Sequence, residues 1–213
     1  MESRGRPGAA RAGRSTAALA TALALACGFG NEAAGAAEVA GVELAESIEL
    51  GGTRLQLNGA GERTLYVVRT YVAALYVGQR SAHAQALLGQ PGPRRLSLTM
   101  LAALSTDWVL ERIIAAMREN VREDIFAGLQ PRLSRLVEPF LALERLQKGD
   151  RVDIDAIDGV TRVSVDGQAL GVDVPGEDLF DALLRAFIGE RPIDEALERA
   201  LLGRPGSRED PDT

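Results

Sequence analysis

Leu57–Val77 reads LNGAGERTLYVVRTYVAALYV, and the fold turns on how this stretch is read. Gly59-Ala60-Gly61 predicts a turn spanning Asn58 to Gly61. Leu65 to Val77 is apolar at both parities, with Leu65, Val67, Leu75 and Val77 on one and Val68, Val72, Ala74 and Tyr76 on the other. A strand of that kind is covered on both faces. It is long for one straight strand, so a bend or bulge is expected near Arg69-Thr70. Between turn and strand stand Glu62 and Arg63. A cation entering a buried strand is costly unless an anion meets it, so Arg63 is the first candidate functional residue.

Upstream, Ile48-Glu49-Leu50 and Thr53 to Leu57 alternate around Gly51-Gly52, the pattern of a tight hairpin. Downstream, Ser81 to Leu88 predicts a short helix stopped by Gly89, and Arg95 to Leu101 a strand. A helix capped at Ser105 or Thr106 carries Trp108, Ile113, Ala116, Val121 and Ile125 at helical spacing and ends at Gly128. Pro131 is placed to open another helix running to Leu146, with Pro139 as a kink. Asp158-Gly159 and Asp166-Gly167 are hairpin signals separating strands 151–157, 160–165 and 168–174. Glu177 to Ile188 is an amphipathic helix, and Asp194 caps a last one ending at Leu202. The order is strands, helices, strands, helix, without βαβ alternation. That order predicts an α+β domain with a mainly antiparallel sheet and helices on one face.

The chain has 213 residues, 46% of them apolar, enough for one sizeable core. A net charge of −6 without a basic stripe argues against nucleic acid, and 4% aromatics against base-stacking platforms. One Cys and one His exclude a disulfide framework and a Cys/His zinc site. Arg4, Arg6, Arg11 and Arg14 precede the apolar run Ala17–Ala26, and Ala34-Gly35-Ala36 offers a cleavage site. The expected organisation is a signal peptide over 1–36, one domain over 37–203, and a disordered tail over 204–213. The apolar run is too short to span a bilayer comfortably, so no transmembrane segment is expected in the mature chain. The expectation is a periplasmic or secreted monomer released from its leader. Lipid anchoring at Cys27 is the alternative, disfavoured because Ala24 stands where a large aliphatic residue belongs.

Gly59-Ala60-Gly61-Glu62-Arg63, the β-rich run ending Ala74-Leu75-Tyr76-Val77, Val165-Asp166-Gly167 and the helix ending Phe187-Ile188-Gly189 together resemble the chalcone isomerase family. The leader and Tyr71-Val72-Ala73-Ala74-Leu75-Tyr76 are most similar to its bacterial secreted branch. The resemblance implies an open-faced β-sandwich of chalcone isomerase type. In the plant enzymes the matching arginine holds a substrate phenolate while a ring closes within the molecule, which needs proximity and charge stabilisation rather than a nucleophile. Arg63 matches that arginine and would be catalytic in an enzyme of this type, an intramolecular lyase. The family's strand threonine falls on Tyr71. Its tyrosine and asparagine fall among Trp108 to Ile114, which has neither type, and its late threonine falls on Ala186.

Fatty-acid-binding relatives offer the other precedent, an arginine and a tyrosine on a carboxylate with the acyl tail in an apolar cleft. The resemblance thus implies a non-catalytic protein for an apolar small-molecule carboxylate, needing no cofactor or metal. An envelope interaction protein without a small ligand is a third reading. Arg63 is the head-group cation, partnered by Tyr71 or Tyr66. Along one straight strand, Arg63 and Tyr71 would lie about 26 Å apart, so only a bend or neighbouring-strand geometry joins them. Arg69 is the alternative cation, and Trp108 a candidate cleft wall. His83 stands without a matched carboxylate or nucleophile. Asp150, Asp153, Asp155 and Asp158 read as turn and solvent-face carboxylates rather than a calcium site.

Overall fold

The structure, a computed structural model, describes residues 36–204. The expected signal peptide, apart from Ala36, and the expected tail beyond 204 lie outside the described residues. In chain order the strands and helices are β1 (Ala36–Val39), β2 (Val42–Ala45), β3 (Ser47–Leu50), β4 (Thr53–Leu65), β5 (Val68–Val77), α1 (Ala84–Leu87), β6 (Arg94–Met100), β7 (Leu104–Ser105), α2 (Thr106–Asn120), α3 (Glu123–Leu141), β8 (Arg145–Leu146), β9 (Arg151–Ile157), β10 (Val160–Val165), β11 (Gln168–Ala169), β12 (Val174–Pro175), α4 (Glu177–Ile188) and α5 (Glu195–Leu201). The main sheet runs β11-β10-β9-β6-β5-β4-β3, with β12 on β10, and its ladders are antiparallel. The α+β architecture expected from the element order is the one found.

From Thr70 to Val77 both faces of β5 are buried, as the two apolar parities require, whereas Val67 and Val68, expected to be covered as well, are exposed at the β4–β5 turn. Tyr71, Ala73, Leu75 and Val77 join the larger core with Val109, Ile113, Met117, Leu183 and Phe187 from the helices. Val72, Ala74 and Tyr76 face the other way, into a smaller core with Leu55 and with Leu44 of the β1–β2 hairpin.

The defining stretch folds differently from its reading in two places. Asn58 to Gly61 is not a turn but lies inside β4. Glycine is needed there because α5 lies directly on the strand. A Cβ on Gly61 would come 2.6 Å from Ala200 Cβ, and one on Gly59 would collide with the Ala200 carbonyl oxygen. Neither glycine has a positive φ. Leu65 to Val77 is not one strand either, since the chain reverses at Tyr66-Val67.

Two bulges set which way the side chains point. The β4–β5 register slips between Leu57 and Gly59, leaving Asn58 unpaired, and between Arg63 and Thr64, leaving Thr70 unpaired on β5. A one-residue slip moves every later side chain to the other face. Leu55 therefore faces the small core, while Gly59 and Gly61 face α5 and Arg63 follows them on the helix side. Asn58 is fixed in its bulge, donating from Nδ2 to the Leu201 carbonyl at 2.7 Å and accepting from the Ser81 amide at 2.7 Å. The bulge expected near Arg69-Thr70 is present, and Thr70 Oγ1 donates to the Arg63 carbonyl at 2.8 Å.

The helical segments also divide differently. α2 ends at Asn120, and α3 starts at Glu123 and holds Gly128, Pro131 and Pro139 in its interior. An interior proline costs about 3 kcal/mol. Phe126, Leu129, Leu133, Leu136 and Phe140 bury one continuous face of α3 and offset that cost. The Ser81–Leu88 helix shrinks to Ala84–Leu87, because Ser81 Oγ accepts from the His83 amide in a local turn. The strand expected over 168–174 is two short pieces flanking an open loop. α4 and the Asp194 cap are as expected, with Asp194 Oδ1 accepting from the Leu197 amide at 2.9 Å.

Asp153 and Asp155 are not solvent-face carboxylates. Both are buried. Arg95 makes a bidentate pair with Asp155 at 2.6 and 2.7 Å and reaches Asp153 at 3.2 Å. Alternation along β9 places them on one face, where the side chains of Arg95, Arg151 and Ser97 close over them.

Candidate functional site

Arg63 sits near the end of β4 and Tyr71 near the start of β5. The β4–β5 turn makes them cross-strand partners. What would be a long separation along one strand becomes a contact across a ladder, with the Arg63 guanidinium carbon 5.9 Å from the Tyr71 ring centre. Trp108, in the first turn of α2, lies over the same guanidinium at 5.7 Å. Both distances are within the range of a cation–π contact. Arg63 is 6% exposed and Tyr71 1%.

Among the described residues neither polar group has a hydrogen-bond partner. Arg63 Nε and Nη1 and the Tyr71 hydroxyl are buried without a hydrogen bond. Glu62, the adjacent carboxylate, is not available, since it pairs with Arg69 at 2.6 Å on the opposite side of the strand. Burial pushes the Tyr71 hydroxyl up to about 12, against the pull of Arg63, with Asp194 adding to the rise. Tyr71 is therefore a neutral donor at ordinary pH, beside a cation. Charge-assisted hydrogen bonds from a guanidinium and a neighbouring phenol are chemistry suited to one small anionic group.

On the next strand, Met100 of β6 is the cross-strand partner of Tyr71. Met100 also lines an apolar cavity of about 40 Å³ between the sheet and α2, α3 and α4, together with Thr106, Ile113, Leu133, Phe140 and Leu183. The Arg63–Tyr71 pair and the cavity are thus one residue apart along a sheet row. Thr106 Oγ1, at this wall, is also buried without a partner.

Among the five residues singled out from the sequence, Arg63, Tyr71 and Trp108 come together. Tyr66 does not; it stands at the β4–β5 turn, 94% exposed. Arg69 shares the parity of Tyr71, but the Thr70 bulge separates their faces and Arg69 lies with Glu62. His83 is exposed. Among the described residues no group of His, Cys, Asp and Glu is arranged to hold a metal.

Sequence reasoning missed three features. Asp194 is legible in the sequence only as a cap, yet its charge raises the Tyr71 hydroxyl further. Thr106 is legible only as a helix start, although its hydroxyl is orphaned at the cavity wall. Arg94 is fully buried, with Phe180 at 5.0 Å from its guanidinium carbon and Asp181 at 2.5 Å. No local pattern marks it, because its partners lie on α4. A second hollow of about 550 Å³ opens on the other face of the sheet, beside Tyr76, Arg95, Ser97, Arg151 and Asp153. Its Asp153 is held by Ser97, Arg95 and Arg151, so that buried charge is balanced within the fold.

A family model described as chalcone isomerase-like matches residues 36–203. Among solved structures, the fatty-acid binding protein of Arabidopsis thaliana has a TM-score of 0.61 at 16% identity, covering 76% of this chain and 92% of that chain. At that identity the likeness concerns the fold alone. No curated protein matches by sequence.

Proposed function

The chain belongs to the chalcone isomerase-like family, and within it we propose a non-catalytic role: binding a fatty acid or similar apolar carboxylate, with Arg63 on the anionic head. One observation carries the reading. A buried guanidinium and a buried neutral phenol lie side by side, and the described residues supply no acceptor for either. An unpaired buried cation is costly, and a carboxylate between Arg63 and Tyr71 would satisfy both groups. One solved structure of similar fold is described as a fatty-acid binding protein, which favours the same chemistry.

The tail is assigned to the cavity beside Met100. At about 40 Å³ it is far below the roughly 150 Å³ that accepts a benzene ring. An acyl chain therefore enters as α2 and α3 separate from the sheet; the two helices are joined only through Val121-Arg122. Ring closure of a chalcone-like phenol is the competing activity. The positions of the family's threonines carry Tyr71 and Ala186, which leaves Arg63 without those partners. We assign the mature protein to the periplasm or the exterior, on the strength of the leader.

The test is native mass spectrometry of the purified protein, followed by thermal melts with saturated fatty acids. Co-purified lipid and a rise in Tm that Arg63→Ala abolishes are expected. Absence of both would sink the reading. Loss of chalcone absorbance faster than in buffer, abolished in Arg63→Ala, would replace binding with lyase activity.

A further inference from the structure

The described hairpins of this protein follow one rule with one exception. The two-residue turns Ala40-Gly41, Gly51-Gly52, Asp158-Gly159 and Asp166-Gly167 each place glycine second, and all eight residues have a positive φ. Such turns suit the twist of the flanking strands, and glycine, asparagine and aspartate reach that backbone region at least cost. The β4–β5 hairpin instead turns on Tyr66-Val67. Tyr66 is held at φ 55°, a conformation that disfavours an aromatic residue.

Nothing in the fold compensates for this choice. Tyr66 is 94% exposed, Val67 92% and Val68 49%. Three consecutive large apolar side chains project from a rigid ladder, at a position where a polar turn would be less strained and more soluble. The nearest exposed charges on the hairpin, Arg69 and Glu62, neutralise each other at 2.6 Å, and Arg63 is buried. A neutral, apolar, Tyr-tipped projection matches the boundary between headgroups and acyl chains, where tyrosine places its ring in one phase and its hydroxyl in the other.

Position supplies the second argument. The ladder pairs Leu65 with Val68, Thr64 with Arg69 and Arg63 with Tyr71. The tip is therefore a few residues from the anion site and on the same hairpin. We propose that the Tyr66-Val67-Val68 tip is a lipid-bilayer contact that brings the Arg63–Tyr71 site to the membrane surface, where an apolar carboxylate resides. This purpose rests on the binding function proposed above; the contact itself is measurable apart from it.

The experiment is flotation of the protein with zwitterionic phosphatidylcholine vesicles, chosen because the chain's net charge of −6 disfavours an anionic surface. The wild type is compared with a Tyr66→Asn, Val67→Gly double variant, which restores the turn chemistry of the other hairpins. The wild type floats, and the variant loses at least five-fold of the bound fraction. The variant also melts higher and keeps its affinity for fatty acid in solution. A wild type that stays at the bottom of the gradient overturns the proposal. So does concentration-dependent self-association that vanishes in the variant, which would make the tip an interface between copies of this chain. Fatty-acid binding without flotation defeats the membrane contact alone. Flotation without fatty-acid binding defeats the binding function and leaves the contact standing.

Discussion

Arg63 and Tyr71 face each other across the β4–β5 ladder, buried, 5.9 Å from guanidinium carbon to ring centre, and neither has a polar partner in the fold. This pairing depends on two bulges and a turn. Asn58 sends Arg63 to the helix side of the sheet, Thr70 does the same for Tyr71, and Tyr66-Val67 folds one strand onto the other.

Replacing Arg63 separates a ligand anchor from a structural cation. Arg63→Met removes a buried unpaired charge and keeps much of the side-chain volume. Folding stability should hold or rise by about 1–3 kcal/mol, while affinity for a saturated fatty acid falls more than ten-fold. Urea unfolding and calorimetric titration check the two halves. A large loss of stability would mean that Arg63 holds the fold.

Tyr71→Phe deletes a hydroxyl that makes no hydrogen bond in the unliganded fold. Its effect on stability at neutral pH should stay within about 1 kcal/mol, with a several-fold loss of ligand affinity. The pH dependence has a definite sign. Burial raises the Tyr71 hydroxyl from 10.0 to about 12 in the folded state, so the native protein holds this proton more tightly than the unfolded chain. Its contribution is complete below pH 10 and is lost as pH rises toward 12, up to roughly 3 kcal/mol. Denaturant melts of wild type and Tyr71→Phe should therefore diverge from their neutral-pH difference only above about pH 10.

Gly61→Ala tests why the glycines are there. A Cβ at Gly61 meets Ala200 Cβ at 2.6 Å and Leu197 Cδ1 at 3.2 Å. α5 must lift from β4, and a stability loss of about 1–3 kcal/mol is expected. The double variant with Ala200→Gly should recover part of it. If the glycines served a turn, Ala200→Gly would rescue nothing.

Arg95 on the opposite face is structural. Arg95→Met leaves the buried Asp155 without its bidentate partner and Asp153 with only Arg151 and Ser97. A loss of about 3–5 kcal/mol is expected. Arg122→Ala, which breaks an exposed pair with Asp124, should cost under about 1 kcal/mol. Chemical denaturation compares the two directly.

Periodicity and turn chemistry were sufficient for much of this fold. Glu177–Ile188 buries its apolar side as read. Gly51-Gly52, Asp158-Gly159 and Asp166-Gly167 turn as read, because glycine and aspartate act through their own backbone preferences. The double-sided burial of Thr70 to Val77 was legible from its two apolar parities. Other features needed the assembled fold. Gly59 and Gly61 look like a turn until α5, well over a hundred residues later, is laid on them. The β4–β5 reversal carries no turn residues to announce it. Gly128 and Pro131 read as a helix boundary because the sequence does not display the packed face of α3 that overrides them.

Residue type and hydrophobic pattern are local properties, and they suffice to put a cation into an apolar strand near a family motif. What that cation meets depends on strand pairing, which is not local. A one-residue bulge leaves no mark on the hydrophobic pattern strong enough to read, yet it reverses the face of every side chain that follows. By that means Asn58 and Thr70 brought Arg63 to Tyr71 and Trp108, and left Arg69 with Glu62.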